Sequence, residues 1–195
     1  MKFTFAFLLI AASGLCFGQK APNKDIQIKT AVLAAPQEQR ENATVMGYSE
    51  SGDFVVLRKG NNGMICLADD PSQKGFSASC YHDSLDPFME RGRQLKKEGK
   101  SFQEIFDLRE QEAKAGKLKM PAQPATLYVY SAPDEKVNTS TGEVMEGYLR
   151  YVIYIPYATA ESTGLPLKPD FAGQPWIMDP GTHRAHIMIS PPKDK

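Results

Sequence analysis

The sequence carries no excess of charge of either sign, because 23 lysine and arginine residues balance 23 aspartate and glutamate residues. Proteins that bind nucleic acid through its phosphate backbone need a basic surface, since their affinity comes from neutralising phosphates. The balance therefore predicts that nucleic acid is not a partner. A hydrophobic fraction of 42% is enough for a core, so we expect a folded domain rather than a disordered chain.

Long hydrophobic runs are absent after the N terminus, so no integral membrane segment is expected once the N terminus is cleaved. Lys2 precedes an apolar run over residues 3–15, which suits the core of a signal peptide but is too short to span a bilayer. The small Gly18 is followed by the polar Gln19, so cleavage is predicted there and residues 1–18 are the signal peptide. We expect a secreted or periplasmic bacterial protein.

Cysteine is scarce, with three residues in the chain. Cys16 lies in the signal peptide, and its lipidation is disfavoured because the bulky Leu15 precedes it. Cys66 and Cys80 are predicted to form a disulfide, because exported proteins fold where thiols are oxidised. Two buried free thiols are the alternative, and a redox-active pair is disfavoured because the two lack C-x-x-C spacing. We expect the bridge to join the end of a third strand to the start of a helix hairpin.

Three apolar runs separated by turn residues indicate early strands. They are predicted over Thr44–Tyr48, Phe54–Arg58 and Met64–Leu67, with glycine and asparagine turns between them. Consecutive strands joined by short turns predict a β-meander. Before them, residues 19–39 are predicted to be a polar leader and a short N-terminal element, with a short helix after Pro36.

Two amphipathic helices are predicted after the meander. Asp86 is expected to cap the first helix, with Pro87 at its first position. Ser101 and Glu104 form a capping box at the start of the second. Apolar residues at three- and four-residue spacing give each helix a buried face, which in the second helix consists of Phe102, Ile105, Phe106 and Ala113. The two helices should form a hairpin.

The last part of the chain is rich in proline, which argues against further helices. Strands are predicted over residues 126–130, 148–155 and 186–189, and the middle one is apolar on both faces, as expected of a central strand covered on both sides. The prediction is an α+β fold in which an antiparallel sheet, built from the early β-meander plus the late strands, carries the helix hairpin on one face. Residues 40–195 are predicted to form a single globular domain.

Histidine is also scarce, and the three residues are His82, His183 and His186. The spacing of the last two suggests metal ligands, with His82, Asp83 or Asp179 as candidates for a third ligand. Residues three apart on a strand point to opposite faces, although Pro180 and Gly181 could place His183 in a turn. A buried, hydrogen-bonded His186 within a strand is the favoured interpretation. No cofactor is predicted.

Aromatic residues cluster late in the chain, where six of the eight tyrosines lie between residues 128 and 157. Tyr148 and Tyr154 fall on one face of a strand, and Trp176 follows. Exposed rings on a sheet can stack on sugars or grip a peptide, so these three residues are a candidate binding surface. Core packing is the more ordinary interpretation, since aromatic pairs commonly stabilise sheets.

Several segments resemble those of a group of uncharacterised secreted bacterial proteins. They are Val55-Val56-Leu57-Arg58-Lys59-Gly60-Asn61-Asn62-Gly63 with Cys66 and Asp69-Asp70-Pro71, Gly99-Lys100-Ser101 with Glu104-Ile105, residues 154–157, and Ala185-His186-Ile187-Met188-Ile189. The likeness covers most of the mature chain in scattered patches. It implies an exported compartment and an architecture, and it implies no activity.

No group of residues in the sequence forms a recognisable catalytic signature. The expected function is therefore that of an exported, non-catalytic binding or envelope-associated domain, with a glycan or a protein of the envelope as its partner. The alternative is a small metal-assisted hydrolase that uses His183 and His186.

Overall fold

The structure is a computed structural model that describes residues 21–192. The predicted signal peptide, residues 1–18, lies outside the described residues. The helices are α1 Lys24–Ala31, α2 Asp86–Lys97, α3 Phe102–Lys114 and α4 Ala160–Thr163. The strands are β1 Thr44–Tyr48, β2 Phe54–Arg58, β3 Met64–Leu67, β4 Phe76–His82, β5 Ala125–Ala132, β6 Val137–Asn138, β7 Glu143–Val144, β8 Tyr148–Tyr154, β9 Trp176–Met178 and β10 His186–Ile189. Within the described range, no helix has the length and apolar character needed to cross a membrane.

Eight strands form one sheet in the order β2-β1-β3-β4-β5-β8-β10-β9. Neighbouring strands are antiparallel except β1 and β3, which are parallel. β6 and β7 form a separate two-stranded sheet. The predicted α+β fold, with a mostly antiparallel sheet that joins the early and late strands, is confirmed.

The early strands do not form the simple meander that their short turns predict. β3 pairs with β1 rather than with β2, so residues 59–63 cross the start of β1. Gly60 permits this crossing. Its amide donates to Thr44 Oγ1 at 3.0 Å, and a Cβ atom there would lie 2.2 Å from the carbonyl oxygen of Asn42. Turn residues show that the chain reverses, but the side on which the next strand pairs is set by this close tertiary contact.

Helices cover both faces of the sheet. The predicted hairpin of α2 and α3 packs on one face, where the rings of Phe88 and Tyr154 have centroids 5.4 Å apart. The opposite face is covered by α1 and the 3-10 turn that follows it, in which Ala31 and Ala34 are fully buried. The N-terminal element is therefore part of the core, although its weak hydrophobic pattern gave no sign of this.

Cys66 and Cys80 form a disulfide, as predicted. The two residues face each other directly across β3 and β4, and both are fully buried. The bridge joins neighbouring strands of one sheet, so the prediction that it connects the sheet to the helix hairpin is wrong. The reason is that β4, which was not predicted, keeps Cys80 inside the sheet before the helices begin.

The helix hairpin has the predicted capping box and an unpredicted buried cation. The Glu104 carboxylate accepts from the Ser101 N–H at 2.8 Å, and the Ser101 hydroxyl oxygen accepts from the Glu104 N–H at 3.3 Å. Asp86 is the first residue of α2 rather than its cap. Phe102 is 67% exposed, whereas Arg109 is the buried residue of α3. Ile105, Phe106 and Ala113 are half-buried on the same side as Arg109, so the predicted face does turn toward the core, except that Phe102 at the start of the helix is exposed.

β8 is central, between β5 and β10, as its apolar sequence predicts. Val152 and Tyr154 are buried beneath the helix hairpin, while Tyr151 on the opposite face is 37% exposed. This difference arises because α1 packs against β1 and β4 rather than β8. The strand is therefore fully covered on one side only, and not on both sides as predicted.

Candidate functional site

His183 lies in the turn before β10 and is fully buried. Its Nδ1 lies 2.6 Å from Oε2 of Glu110, and its backbone N–H donates to the same oxygen at 2.8 Å. Burial lowers the pKa of His183, and the hydrogen bond to Glu110 opposes this shift in part. The imidazole is therefore neutral at neutral pH and donates its Nδ1 proton to the carboxylate. Its Nε2 is buried with no hydrogen-bond partner among residues 21–192.

Glu110 fixes the turn that carries His183 against α3. Burial raises the pKa of Glu110, but hydrogen bonds from Lys114 and His183 outweigh this effect and lower the pKa. The Lys114 ammonium lies 2.8 Å from Oε1 of this carboxylate. An ionised Glu110 thus accepts from one side chain of its own helix and from the turn before β10.

His186 is the first residue of β10 and is 3% exposed. Its Nδ1 lies 2.6 Å from the carbonyl oxygen of Arg184, so this nitrogen carries the proton and donates. The ring stacks on Tyr154 with centroids 5.2 Å apart. Burial lowers the pKa of His186. The favoured interpretation, a buried and hydrogen-bonded strand residue, agrees with this geometry.

The three histidines do not meet at one point. Tyr81, Leu127, Val152 and Met188 lie opposite one another across the sheet and share one face. His186 shares that face with Met188, whereas His82 follows Tyr81 and occupies the other. Three strand spacings, about 14 Å, separate β4 from β10. Across the part of the chain that the structure describes, no group of three histidine, cysteine, aspartate or glutamate side chains is arranged to hold a metal ion.

Arg109 completes the buried polar cluster under the helix hairpin. Its guanidinium carbon lies 3.9 Å from the centroid of the Phe88 ring, and its Nη1 donates to the carbonyl oxygen of Phe88 at 3.2 Å. Burial lowers the pKa of Arg109 to about 10. These contacts join α3 to α2, so the cluster has a structural role in the hairpin.

The predicted binding surface of Tyr148, Tyr154 and Trp176 is not one exposed patch. The register places all three on the same face of the sheet. Tyr154 is 7% exposed beneath α2, so it is a core residue and offers no ring to a ligand. Trp176 is half-buried on β9 at the sheet edge, two strands from Tyr148.

The proline-rich loop between α4 and β9 exposes two large apolar side chains, Leu167 at 61% and Phe171 at 66%. The same loop carries the polar residues Lys168, Asp170 and Gln174, and the Asp170 N–H donates to Oε1 of Gln174.

Tyr148 instead lines a cleft of about 400 Å³ at the end of the sheet that the helix hairpin leaves uncovered. Ser77, Ser131 and Tyr148 lie opposite one another across β4, β5 and β8, so three hydroxyl-bearing side chains stand in one row. Arg150 lies two residues further along β8 on the same face. Lys74 lines the cleft from the loop before β4.

Arg150 is the unusual member of this cleft. The residue is half-buried, and its Nε is buried without a hydrogen-bond partner in residues 21–192. None of the carboxylates in that range forms a salt bridge with it. A buried polar group without a partner is costly, and a charged one more so.

The carboxylates near the cleft bind groups other than Arg150. Glu146 lines the cleft, but its carboxylate pairs with Lys136. Asp134 accepts from the backbone N–H of Gly75 with both oxygens at 3.0 Å. Among the residues that line the cleft, Lys74 and Arg150 are the cations and Glu146 is the carboxylate, while Asp134 and Asp69 lie beside the cleft on the N–H groups of Gly75 and Ser77.

Comparison with known proteins identified no relative of this chain. No protein-family model, no curated protein and no solved structure matches the chain. The candidate site rests on its own geometry.

Sequence reasoning missed Arg150, Ser77 and Ser131, although one signal was present. Arg150 falls between Tyr148 and Val152 on the face of β8 that points toward the core. A charged residue at such a position needs a partner or a ligand. The two serines carried no signal, because only the pairing of β4 with β5 brings them beside the tyrosine.

Proposed function

We propose that the chain is an exported, non-catalytic binding domain whose cleft between β4, β5 and β8 takes a carboxylate or phosphate group of its ligand. One observation carries the proposal: Arg150 is half-buried in this cleft, and its Nε has no partner in the described part of the chain. An anion that accepts from the guanidinium satisfies the buried N–H and neutralises the charge. Charge-assisted hydrogen bonds of this kind are among the strongest that proteins form.

The rest of the cleft suits such a ligand. Lys74 adds a second positive charge, and Ser77 and Ser131 supply hydroxyl groups that can bind a sugar or a peptide, beside Tyr148, whose own hydroxyl donates to the carbonyl oxygen of Pro191 at 2.7 Å. A volume of about 400 Å³ lies within the usual range for small-molecule sites. A uronic acid of an envelope glycan and the terminal carboxylate of a peptide both fit this chemistry.

Backbone strain at the cleft also supports a binding role. Glu146 has a φ of 53°, a left-handed conformation that is uncommon for glutamate. Such strain is concentrated at functional sites, where the surrounding structure holds it.

The export part of the proposal is supported by the Cys66–Cys80 disulfide, because such bridges persist in oxidising compartments. The N-terminal apolar run adds to this argument from the sequence alone.

Calorimetric titration with three probes tests the proposal: glucuronate as a carboxylate sugar, inorganic phosphate, and glucose as a neutral sugar. We expect saturable binding of at least one anion and none of glucose. Arg150→Gln should abolish the binding, and Arg150→Lys should weaken it, because lysine lacks the planar fork that binds an oxyanion with two hydrogen bonds.

Lys97→Gln is the matched control, since it removes one positive charge from an exposed position on α2 and should leave binding unchanged. The proposal is wrong if neither anion binds the wild-type protein, or if the Arg150→Gln variant binds as tightly as the wild type.

A further inference from the structure

Two backbone N–H groups at the β4 side of the cleft are bound by the protein's own carboxylates. The Gly75 N–H donates to both oxygens of Asp134 at 3.0 Å, and the Ser77 N–H donates to Oδ1 of Asp69 at 2.8 Å. Gly75 and Ser77 both line the cleft. Backbone N–H groups are common phosphate ligands in proteins, because several of them can surround its oxygens. These two N–H groups are already bound and do not serve a ligand.

Asp69 and Asp134 also place negative charge beside the cleft. Burial raises the pKa of Asp69, the Ser77 N–H lowers it in part, and the charge of Asp134 raises it again. The two carboxylates are therefore close enough to repel each other. Among residues 21–192, no lysine, arginine or histidine forms a salt bridge with either of them. Their charge acts on an anion that enters the cleft.

The charges around the cleft favour a ligand group with one negative charge over a group with two. A carboxylate carries one charge, which the guanidinium of Arg150 can neutralise through two hydrogen bonds. A phosphate ester carries a charge between about −1.5 and −2 at pH 7. The carboxylate that lines the cleft, Glu146, already pairs with Lys136. The second charge of a phosphate therefore has only Lys74 to neutralise it, and both aspartates repel it.

We propose that Asp69 and Asp134 make this cleft selective for a carboxylate over a phosphate. They occupy the two N–H groups that a phosphate would use, and they repel its second negative charge. This inference rests on the proposed function, because it concerns the anion that pairs with Arg150. It narrows the ligand class to carboxylic acids, such as a uronic acid or the C terminus of a peptide.

The size of the selectivity follows from distances across the sheet. Ser77, which holds Asp69, lies two strand spacings from Tyr148, about 10 Å. At this distance one unit charge changes the affinity for another by roughly twofold at the dielectric constant of water, and by roughly fifteenfold at that of a protein surface. Removing one aspartate charge should therefore reduce the selectivity by a factor within this range.

Calorimetric titration with glucuronate and glucose 6-phosphate tests the inference, because the two probes share a sugar ring and differ in the acidic group at C6. The wild type should bind glucuronate more tightly. Asp69→Asn and Asp134→Asn should each lower the ratio of the two affinities by roughly two- to fifteenfold. Asparagine retains an oxygen that accepts from the same N–H, so each variant removes the charge and keeps the hydrogen bond.

Asp107→Asn is the matched control, since it removes an exposed carboxylate from α3 and should leave the ratio unchanged. Circular dichroism checks that each variant is folded. The inference is overturned if the wild type binds glucose 6-phosphate as tightly as glucuronate, or if neither aspartate variant changes the ratio, even where Arg150→Gln abolishes binding of both probes. If neither probe binds the wild type, the proposed function itself has failed, and this inference fails with it.

Discussion

At the scale of single residues, two of the three histidines, His183 and His186, are buried. His183 and His186 are both enclosed by aromatic rings and each donates from Nδ1 to a fixed oxygen. The imidazole closest to a carboxylate, His183, is therefore held in one tautomer beside Glu110. This arrangement resembles a catalytic dyad in its contacts, but the packing around Nε2 gives a substrate no access to it.

The buried histidines predict a loss of stability in mild acid. Because burial lowers the pKa of both, the unfolded state binds protons that the folded state excludes. The free energy of unfolding should be constant above the ordinary histidine pKa of about 6.5. It should fall as the pH drops below that value toward the lowered pKa of the folded protein, by up to about 1.4 kcal/mol per pH unit for each histidine.

Urea denaturation between about pH 5 and pH 8 measures this slope. His183→Gln and His186→Gln should each reduce it, although both variants are less stable overall. His82→Gln replaces an exposed histidine and should leave the slope as it is in the wild type. A slope that is the same in all four proteins would contradict the assignment.

Arg150 shows the opposite case at the same scale, a side chain whose surroundings in the described residues do not satisfy it. Arg109 is also buried, and its Nε likewise has no hydrogen-bond partner among residues 21–192, but its guanidinium lies over the Phe88 ring and its Nη1 donates to a carbonyl. Arg150 lines a cleft that a ligand can enter, whereas Arg109 is enclosed beneath the helix hairpin, and this difference is the reason for placing the binding site at the cleft.

At the scale of secondary-structure elements, the crossing between β2 and β3 determines the order of the early strands. Five residues carry the chain from one side of β1 to the other, and they do so across its first residue. The crossing requires the backbone of residue 60 to lie against the backbone of residues 42–44. No residue with a side chain fits there without displacement.

Gly60→Ala should therefore destabilise the protein by about 1–3 kcal/mol, the usual cost of forcing extra volume into a packed site. The added Cβ would lie 2.2 Å from the carbonyl oxygen of Asn42, so the backbone must shift. Chemical denaturation of the variant against the wild type measures the loss. Asn61→Ala, at the exposed neighbouring position, is the control and should change stability little. Equal stability of the wild type and Gly60→Ala would show that the crossing is looser than described.

At the scale of the whole molecule, the disulfide links two cysteines that are 14 positions apart in the sequence, on two strands in the middle of the sheet. Cys66 and Cys80 lie in the core beneath α1, so the bridge strengthens the region where the N-terminal element meets the sheet. In the chain-entropy account, a loop of this size stabilises the fold by about 3 kcal/mol.

Replacing Cys66 and Cys80 together by alanine should lower the free energy of unfolding by about 3 kcal/mol, with cooperative unfolding retained. Non-reducing peptide mapping of the wild type should show the two cysteine-containing peptides joined. Free alkylation of both thiols in the native, oxidised protein would refute the bridge. Unchanged stability in the double alanine variant would show that the loop is already ordered in the unfolded state.

The sequence was sufficient wherever structure depends on neighbours along the chain. The capping box of Ser101 and Glu104, the hairpin of α2 and α3, and the strands β1, β2, β3, β8 and β10 follow from local propensity and hydrophobic period. The pairing of Cys66 with Cys80 followed from their number and the expected compartment. The helices and strands depend on contacts between residues close in the chain. The disulfide has one possible pairing once Cys16 is assigned to the signal peptide.

The tertiary structure alone decided the features that depend on partners distant in the chain. These are the parallel pairing of β1 with β3, the burial of α1, the enclosure of Tyr154, and the row of hydroxyls beside Arg150. The physical reason is that strand pairing brings residues together by register across the sheet, and register is set by packing and by crossings such as that at Gly60. A local sequence pattern does not specify which residues of two distant strands lie opposite each other.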